Sequence, residues 1–419
     1  MRTFLALAVL VALSGCVSAE ELAAPAPSAP SASASAPRRD ADRVASVQFF
    51  AGRDETALPV MRLGAQESLT LAFDLVGSEP SPVSVWYYLA DRTGRVHPFS
   101  STHVQGFKRL DVLDGQPSAG AKVRYVHYRA ALPDAGVQLT VSGRYTVRVT
   151  ELGREDALLF ERSFYVAESG VEATVEGEDV YLGGATTSLL PRVTVSTEGL
   201  VPDPFYFSAC FAQDGHTQAL RCADRALVAA RASMTFQLPP DMAFARDNAT
   251  HFLDLTSLRS SPDVERVDLQ EAVPLVRLAP DQPAFPDLAF PSLMAQPVFE
   301  RVRALGPPET SAEYVDVTFQ MTPPGDVPLA DAFLTGAFTG WRARAVPLAW
   351  NAETRRYTAT VRLKQGQYEY RYQSSDPRFQ RLVAGAPARA QSRYHAFVYY
   401  RDPRANLDRL LAVRVLDAL

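Results

Sequence analysis

The sequence predicts an all-β protein made of antiparallel β-sandwiches in series, immunoglobulin-like in type. Three observations predict it. Apolar residues alternate with polar ones in short runs, the period of a half-buried strand. Turn signals such as Pro133-Asp134-Ala135-Gly136 and Gln365-Gly366 separate those runs. No long stretch keeps the i, i+3, i+4, i+7 apolar spacing of an amphipathic helix.

The chain opens with a targeting segment. Arg2 supplies a positive start, and Phe4 to Leu13 form an apolar run too short to span a membrane as a mature helix. Leu13-Ser14-Gly15-Cys16 resembles the lipobox of bacterial lipoproteins. That resemblance makes residues 1–15 a lipoprotein signal peptide and the Cys16 thiol the lipidation site. The competing reading is an ordinary signal peptide with a chance cysteine. Val17, where the sorting rule puts Asp for inner-membrane retention, points to the outer membrane of a Gram-negative envelope. Residues 16–43 follow as a disordered tether. From Glu20 to Arg43 the chain is mostly Ala, Pro and Ser, with little apolar bulk to bury and prolines that stiffen it toward polyproline II.

The strands come next. Leu69, Leu71, Phe73 and Leu75 share one face of Ser68 to Leu75, and Arg144 to Val149 alternates after Gly143. Phe160 to Val166 reads as the closing strand of a first sandwich, 44–168. A middle β domain is expected over 171–278, with a short helix at Arg225 to Met234. The proline-rich stretch 279–297 reads as a linker. The last sandwich, 298–419, carries Val315, Val317, Phe319 and Met321, then Tyr357 to Leu363, then Tyr368, Tyr370 and Tyr372. The final residues fit neither period clearly.

Composition narrows the function. Apolar residues make up 47% and charged residues 21%, a globular balance. The net charge of -5 and the lack of a basic run argue against a nucleic-acid partner. No phosphate loop, Gly-x-Ser-x-Gly or His-Glu-x-x-His occurs. The six histidines (97, 103, 127, 216, 251, 395) have no metal-ligand spacing, and His127, on a strand beside tyrosines, reads as structural. Asn248-Ala249-Thr250 matches a glycosylation acceptor by chance. No catalytic residue, metal or cofactor is expected. Cys210 and Cys222 flank Asp214-Gly215, and in an oxidising periplasm a disulfide there would contribute about 2–3 kcal/mol. Two free buried thiols, or a metal pair lacking partners, are the alternatives.

An ordered set of stretches carries a further resemblance. Pro59 to Gly64 leads into Ser68-Leu69-Thr70-Leu71-Ala72-Phe73-Asp74. Tyr125-Val126-His127-Tyr128, Leu132-Pro133, Ser142-Gly143-Arg144-Tyr145 and Phe164-Tyr165-Val166-Ala167-Glu168 follow. Leu363-Lys364-Gln365-Gly366-Gln367-Tyr368-Glu369-Tyr370 and Asp408-Arg409-Leu410-Leu411 stand near the end. In this order they resemble the plug-protein family of the type IX secretion system. The resemblance implies a non-enzymatic lipoprotein of the outer membrane, facing the periplasm, that closes the periplasmic side of the translocon barrel. Its partners would be that barrel and, through Cys16, the membrane. Two places depart from the family pattern. Asn248 to Asp254 replaces an Asn-Glu-Phe-Arg-x-Phe-Asp stretch, and Leu89-Ala90-Asp91 replaces one ending in His-Cys.

A second resemblance is confined to the last domain. Phe333 to Trp341, followed by Tyr357 and Gly366 to Tyr372, is similar to glycogen-binding early-set modules, whose aromatic platforms stack on sugars. It puts Trp341 in one platform position and implies, as the alternative function, a glycan-binding lipoprotein. The second platform tryptophan is absent, and Asp376-Pro377-Arg378-Phe379 stands instead.

Overall fold

Alternation builds the first sandwich. Leu69, Leu71, Phe73 and Leu75 of the strand Leu69–Val76 enter one core with Tyr145, Val147 and Val149 of Gly143–Glu151. A slip of one residue would turn either set outward, so burial fixes the register. One sheet runs Val44–Ala51, Leu69–Val76, Tyr125–Leu132, Gln116–Pro117. The facing sheet runs Val60–Arg62, Leu158–Ala167, Gly143–Glu151, Val83–Ala90, Arg109–Val112. This computed structural model describes residues 41–418 except Ser78, Ser169, 182–186, 197–202, Arg231, Asn248, 285–293 and 387–390. The signal segment, Cys16, residues 16–40 and Asn248 therefore lie outside the described residues.

The second sandwich packs two sheets around Val193, Phe211, Phe236, Tyr394 and Val398. One contains Ala173–Tyr181, Thr187–Ser196, Ser233–Gln237 and Val228–Ala229, with Phe244–Ala245 also paired to Thr187–Ser196. The other runs Arg221–Ala223, Phe207–Gln213, Ser392–Asp402, Leu407–Ala418. The third packs His251–Asp254, Gln367–Gln373, Phe333–Gly336 and Val346–Pro347 against a sheet of Val264–Asp268, Leu275–Leu278, Tyr314–Met321, Arg356–Lys364 and Ala349–Asn351. Its core takes Val315, Val317, Phe319, Met321, Tyr368, Tyr370 and Tyr372.

These pairings differ from the expected division at residues 278 and 298. His251–Asp254 pairs with Gln367–Gln373, and Leu275–Leu278 lies parallel to Tyr314–Met321, so both belong to the third sandwich. Ser392–Asp402 returns to pair with Phe207–Gln213. The third sandwich is thus inserted between two parts of the second. Punctuation marks where strands stop, not which distant strand completes a sheet. Nor is there a helix at Arg225 to Met234: Val228 and Ala229 pair with Thr235 and Met234 in a hairpin. The ambiguous C-terminus is the twelve-residue strand Leu407–Ala418.

A helix does form at Pro377–Ala384, in the stretch that stands where glycogen-binding modules carry their second platform. Asp376 caps it, accepting from the Arg378 N–H at 2.9 Å, and Pro377 occupies the first turn, where no N–H is required.

Candidate functional site

The stretches that carry the family resemblance meet, in space, at two joints between sandwiches. The first joins the first and third. Asp74 sits on the face of its strand opposite Leu71, Phe73 and Leu75, yet the third sandwich covers it completely. Its carboxylate accepts from Lys364 Nζ at 2.8 Å, from the Tyr314 hydroxyl at 2.7 Å and from His127 Nδ1 at 2.8 Å. A carboxylate only accepts, so Nδ1 of His127 carries the proton. Lys364 Nζ also donates to the Glu309 carbonyl at 2.7 Å and lies 4.3 Å from the Tyr125 ring centroid. The Tyr125 hydroxyl crosses to the Ala312 carbonyl at 2.9 Å.

Electrostatics assigns the protons. Burial holds the Lys364 amine below its ordinary value, and Asp74 opposes that pull. Burial pushes Tyr314 well above its ordinary value, helped by Asp74. It stays a phenol whose one O–H goes to Asp74, so Ser46 is the donor in its 2.6 Å contact with Tyr314. A strap strengthens the joint. The end of the expected linker lies on the first sandwich: Gln296 Oε1 accepts from the Phe49 N–H at 2.8 Å, and the Pro297 carbonyl from Gln48 Nε2 at 3.0 Å.

The second joint links the first sandwich to the second. Glu168 accepts from Arg409 Nε and Nη2, both at 2.8 Å, and from Ser142 Oγ at 2.6 Å. This fork-to-fork geometry is the strong form of an arginine–carboxylate pair. Asp408 accepts from the Arg92 N–H at 3.1 Å and from Arg401 Nη1 at 3.0 Å. Beneath them Tyr165 packs on Phe397 at 4.7 Å between centroids, in a small apolar cluster with Cys210, Tyr399 and Leu410. Cys210 and Cys222 are directly opposed on paired strands, and the structure joins their sulfurs in a disulfide.

Each joint carries a Gly-x-Tyr element, and the glycine has a reason in both. A Cβ on Gly143, at φ 152°, would meet the Asp408 carbonyl at 3.2 Å, the neighbouring sandwich itself. A Cβ on Gly366 would meet the Phe299 ring at 2.6 Å and the Val298 carbonyl at 2.8 Å. Two residues on, Tyr145 donates to the Val141 carbonyl at 2.8 Å and Tyr368 to the Lys364 carbonyl at 2.5 Å. Each tyrosine thus ties its hydroxyl four residues back across a corner, as tyrosine corners do.

Trp341 packs against the second sandwich. It is half-buried at φ 59°, with its ring centroid 4.2 Å from that of His216 in the second sandwich. Among the described residues no group of three or more His, Cys, Asp or Glu is placed to hold a metal, and no helix is long and apolar enough to cross a membrane. His127, read as structural, proves to be part of the first joint. In the sequence Asp74, Lys364 and Arg409 stand only as members of longer motifs. Their one sequence signal was a charged residue beside an otherwise apolar strand.

Residues 44–168 match the family described as type 9 secretion system plug protein, first domain. A comparison with curated proteins returned no match. Among solved structures, a hypothetical protein from Parabacteroides merdae ATCC 43184 is similar at a TM-score of 0.80 and 21% identity, covering 91% of this chain and 99% of that one. That similarity shows a shared fold. The BSP domain of a biofilm associated protein matches 91% of this chain and 60% of its own at 9% identity, and its TM-score of 0.17 carries no argument.

Proposed function

On the premise that the first sandwich of this chain belongs to the type 9 secretion system plug protein family, we propose that the protein is a non-enzymatic plug subunit. It covers the periplasmic mouth of the outer-membrane translocon barrel while no cargo occupies it. The family match over residues 44–168 is the observation that carries this reading. Physical argument supports it. A barrel wide enough to pass a folded chain leaves an aqueous channel, so its resting state calls for a removable cover, and a cover must be stiff. The residues of the resemblance tie three sandwiches together at two joints. What they hold is a shape rather than a reactive centre.

The attachment is part of the proposal. A lipid on Cys16 and an Ala/Pro/Ser tether would keep the cover near the barrel after release, at high effective concentration. The test is deletion of the gene, followed by assays of envelope permeability and of cargo secretion. The reading expects a leakier outer membrane and disturbed secretion, both restored by the wild-type gene. Unchanged permeability together with unchanged secretion overturns it.

A further inference from the structure

We propose that the end of the molecule where the first and second sandwiches meet is a membrane-contacting surface. It sets five apolar side chains into the interfacial layer of a phospholipid bilayer, as a second and weaker contact beside a lipid at Cys16. The inference does not depend on the plug reading.

Single exposed apolar side chains are ordinary on a protein surface. Here Phe99 is 68% exposed, Phe107 72%, Phe205 86%, Leu227 65% and Val228 55%, and topology gathers them. In the first sandwich the strand Val83–Ala90 ends in a turn, after which the His97 N–H returns to the Leu89 carbonyl at 2.8 Å. Phe99 and Phe107 flank the excursion that follows, Ser100–His103 and Val104–Gly106. In the second sandwich Ala209 of Phe207–Gln213 opposes Ala223 of Arg221–Ala223 on antiparallel strands. The chain before 207 and the chain after 223 therefore lie at one end of that sheet. Phe205 is on the first, Leu227 and Val228 on the second. Arg92 pins the two sandwiches together at this end: Nη1 donates to Ser208 Oγ at 2.8 Å, and Nη2 lies 3.0 Å from Asp224. Exposed apolar surface collected in one place marks a protein or membrane contact.

Two observations favour the bilayer. These side chains stand on separate turns and a two-residue strand, not on one continuous sheet face. A bilayer accepts protruding side chains in any arrangement, whereas a protein partner must match their shape. The chain outside the described residues also reaches far enough. Residues 16–40 span at most about 80–90 Å when extended, so a lipid at Cys16 leaves this end free to meet the same leaflet. Charge does not choose the lipid. Arg92 pairs with Asp224 and Arg109 with Asp111, while Asp91 and Asp203 accept from the Thr93 and Phe205 N–H groups. Insertion is therefore apolar and indifferent to headgroup charge. It is also shallow, because the backbone groups of these turns must keep their water. Alone it is weak, since stable attachment takes two membrane signals.

The test is centrifugation of the full chain from residue 16, carrying Cys16→Ala, with increasing amounts of phosphatidylcholine vesicles, with and without phosphatidylglycerol. Sedimentation that grows with lipid, equal for both compositions and unchanged at about 0.5 M salt, is expected. Phe99→Ser with Phe107→Ser, and Phe205→Ser with Leu227→Ser, should each weaken it by about tenfold or more. Their melting temperatures should stay unchanged, because all four side chains are exposed. Leu305→Ser, at an exposed leucine of the third sandwich, should change nothing. No lipid-dependent sedimentation, sedimentation that needs phosphatidylglycerol and vanishes in salt, or a loss in Leu305→Ser matching that of the double variants overturns the proposal. So does vesicle binding unchanged in both double variants, the result expected if the surface serves a protein partner.

Discussion

Replacing Lys364 by Met is the sharpest perturbation of the architecture. Lys364 and Asp74 are 2% and 0% exposed, and their charges meet at 2.8 Å across two sandwiches. Lys364→Met removes the cation and keeps most of the volume, so cavity formation is a minor part of the effect. What remains is a carboxylate that water cannot reach. Breaking a buried pair from one side costs about 3–5 kcal/mol. Asp74 keeps its bonds from Tyr314 and His127, which places the loss toward the lower end. The exposed pair Arg362–Asp316 gives the contrast, and Arg362→Met should cost less than about 1 kcal/mol. The double variant Asp74→Asn with Lys364→Met leaves no buried charge and should recover at least half of the single loss. The assay is urea unfolding followed by intrinsic fluorescence, with the three variants and the parent compared at one pH. A Lys364→Met loss no larger than that of Arg362→Met, or a double variant that recovers none of the Lys364→Met loss, refutes the reasoning.

Three further expectations follow, two from the structure and one from the sequence. Burial, with Arg393 adding to it, pushes the His395 imidazole down to about 4, while Asp417 opposes. Between that value and the ordinary 6.5 the unfolded chain binds more protons than the folded one. Stability is therefore full above about pH 6.5 and falls by about 3 kcal/mol as pH drops to about 4. Burial lowers His251 as well, in the same sense. Melts at pH 7 and pH 4.5 should show the loss, and His395→Leu should reduce it; an equal acid loss in that variant contradicts the assignment. Cys210 and Cys222 are twelve residues apart, and removing both should cost about 2–3 kcal/mol. Non-reducing peptide mapping should find the linked pair, and two alkylatable thiols in the folded protein would contradict it. Cys16→Ala should release the mature protein from membranes, and attachment that persists without a partner counts against the lipid anchor.

The sequence and the structure agree where physics is local. Leu69 to Leu75, Gly143 to Val149 and Tyr368 to Tyr372 announce their buried faces by alternation, and each lies in a core. They part where closure is long-range. Asp74 and Lys364 are 290 residues apart, and nothing near either names the other. Alternation even misplaces Asp74, because the face opposite Leu71 and Phe73 reads as solvent until a second sandwich covers it. The return of Ser392–Asp402 to Phe207–Gln213 is hidden for the same reason. The glycines Gly143 and Gly366 were legible as motif letters. Their reason, a carbonyl or ring where a Cβ would stand, appears only in three dimensions.

The most direct test of the plug reading is electrical. The purified translocon barrel would be placed in a planar bilayer and its conductance recorded before and after adding this protein to the periplasmic side. The account predicts that added protein closes the open channel, reversibly, and that addition to the opposite side does nothing. A barrel that stays open at saturating protein, in a preparation where no other subunit already blocks it, contradicts the claim.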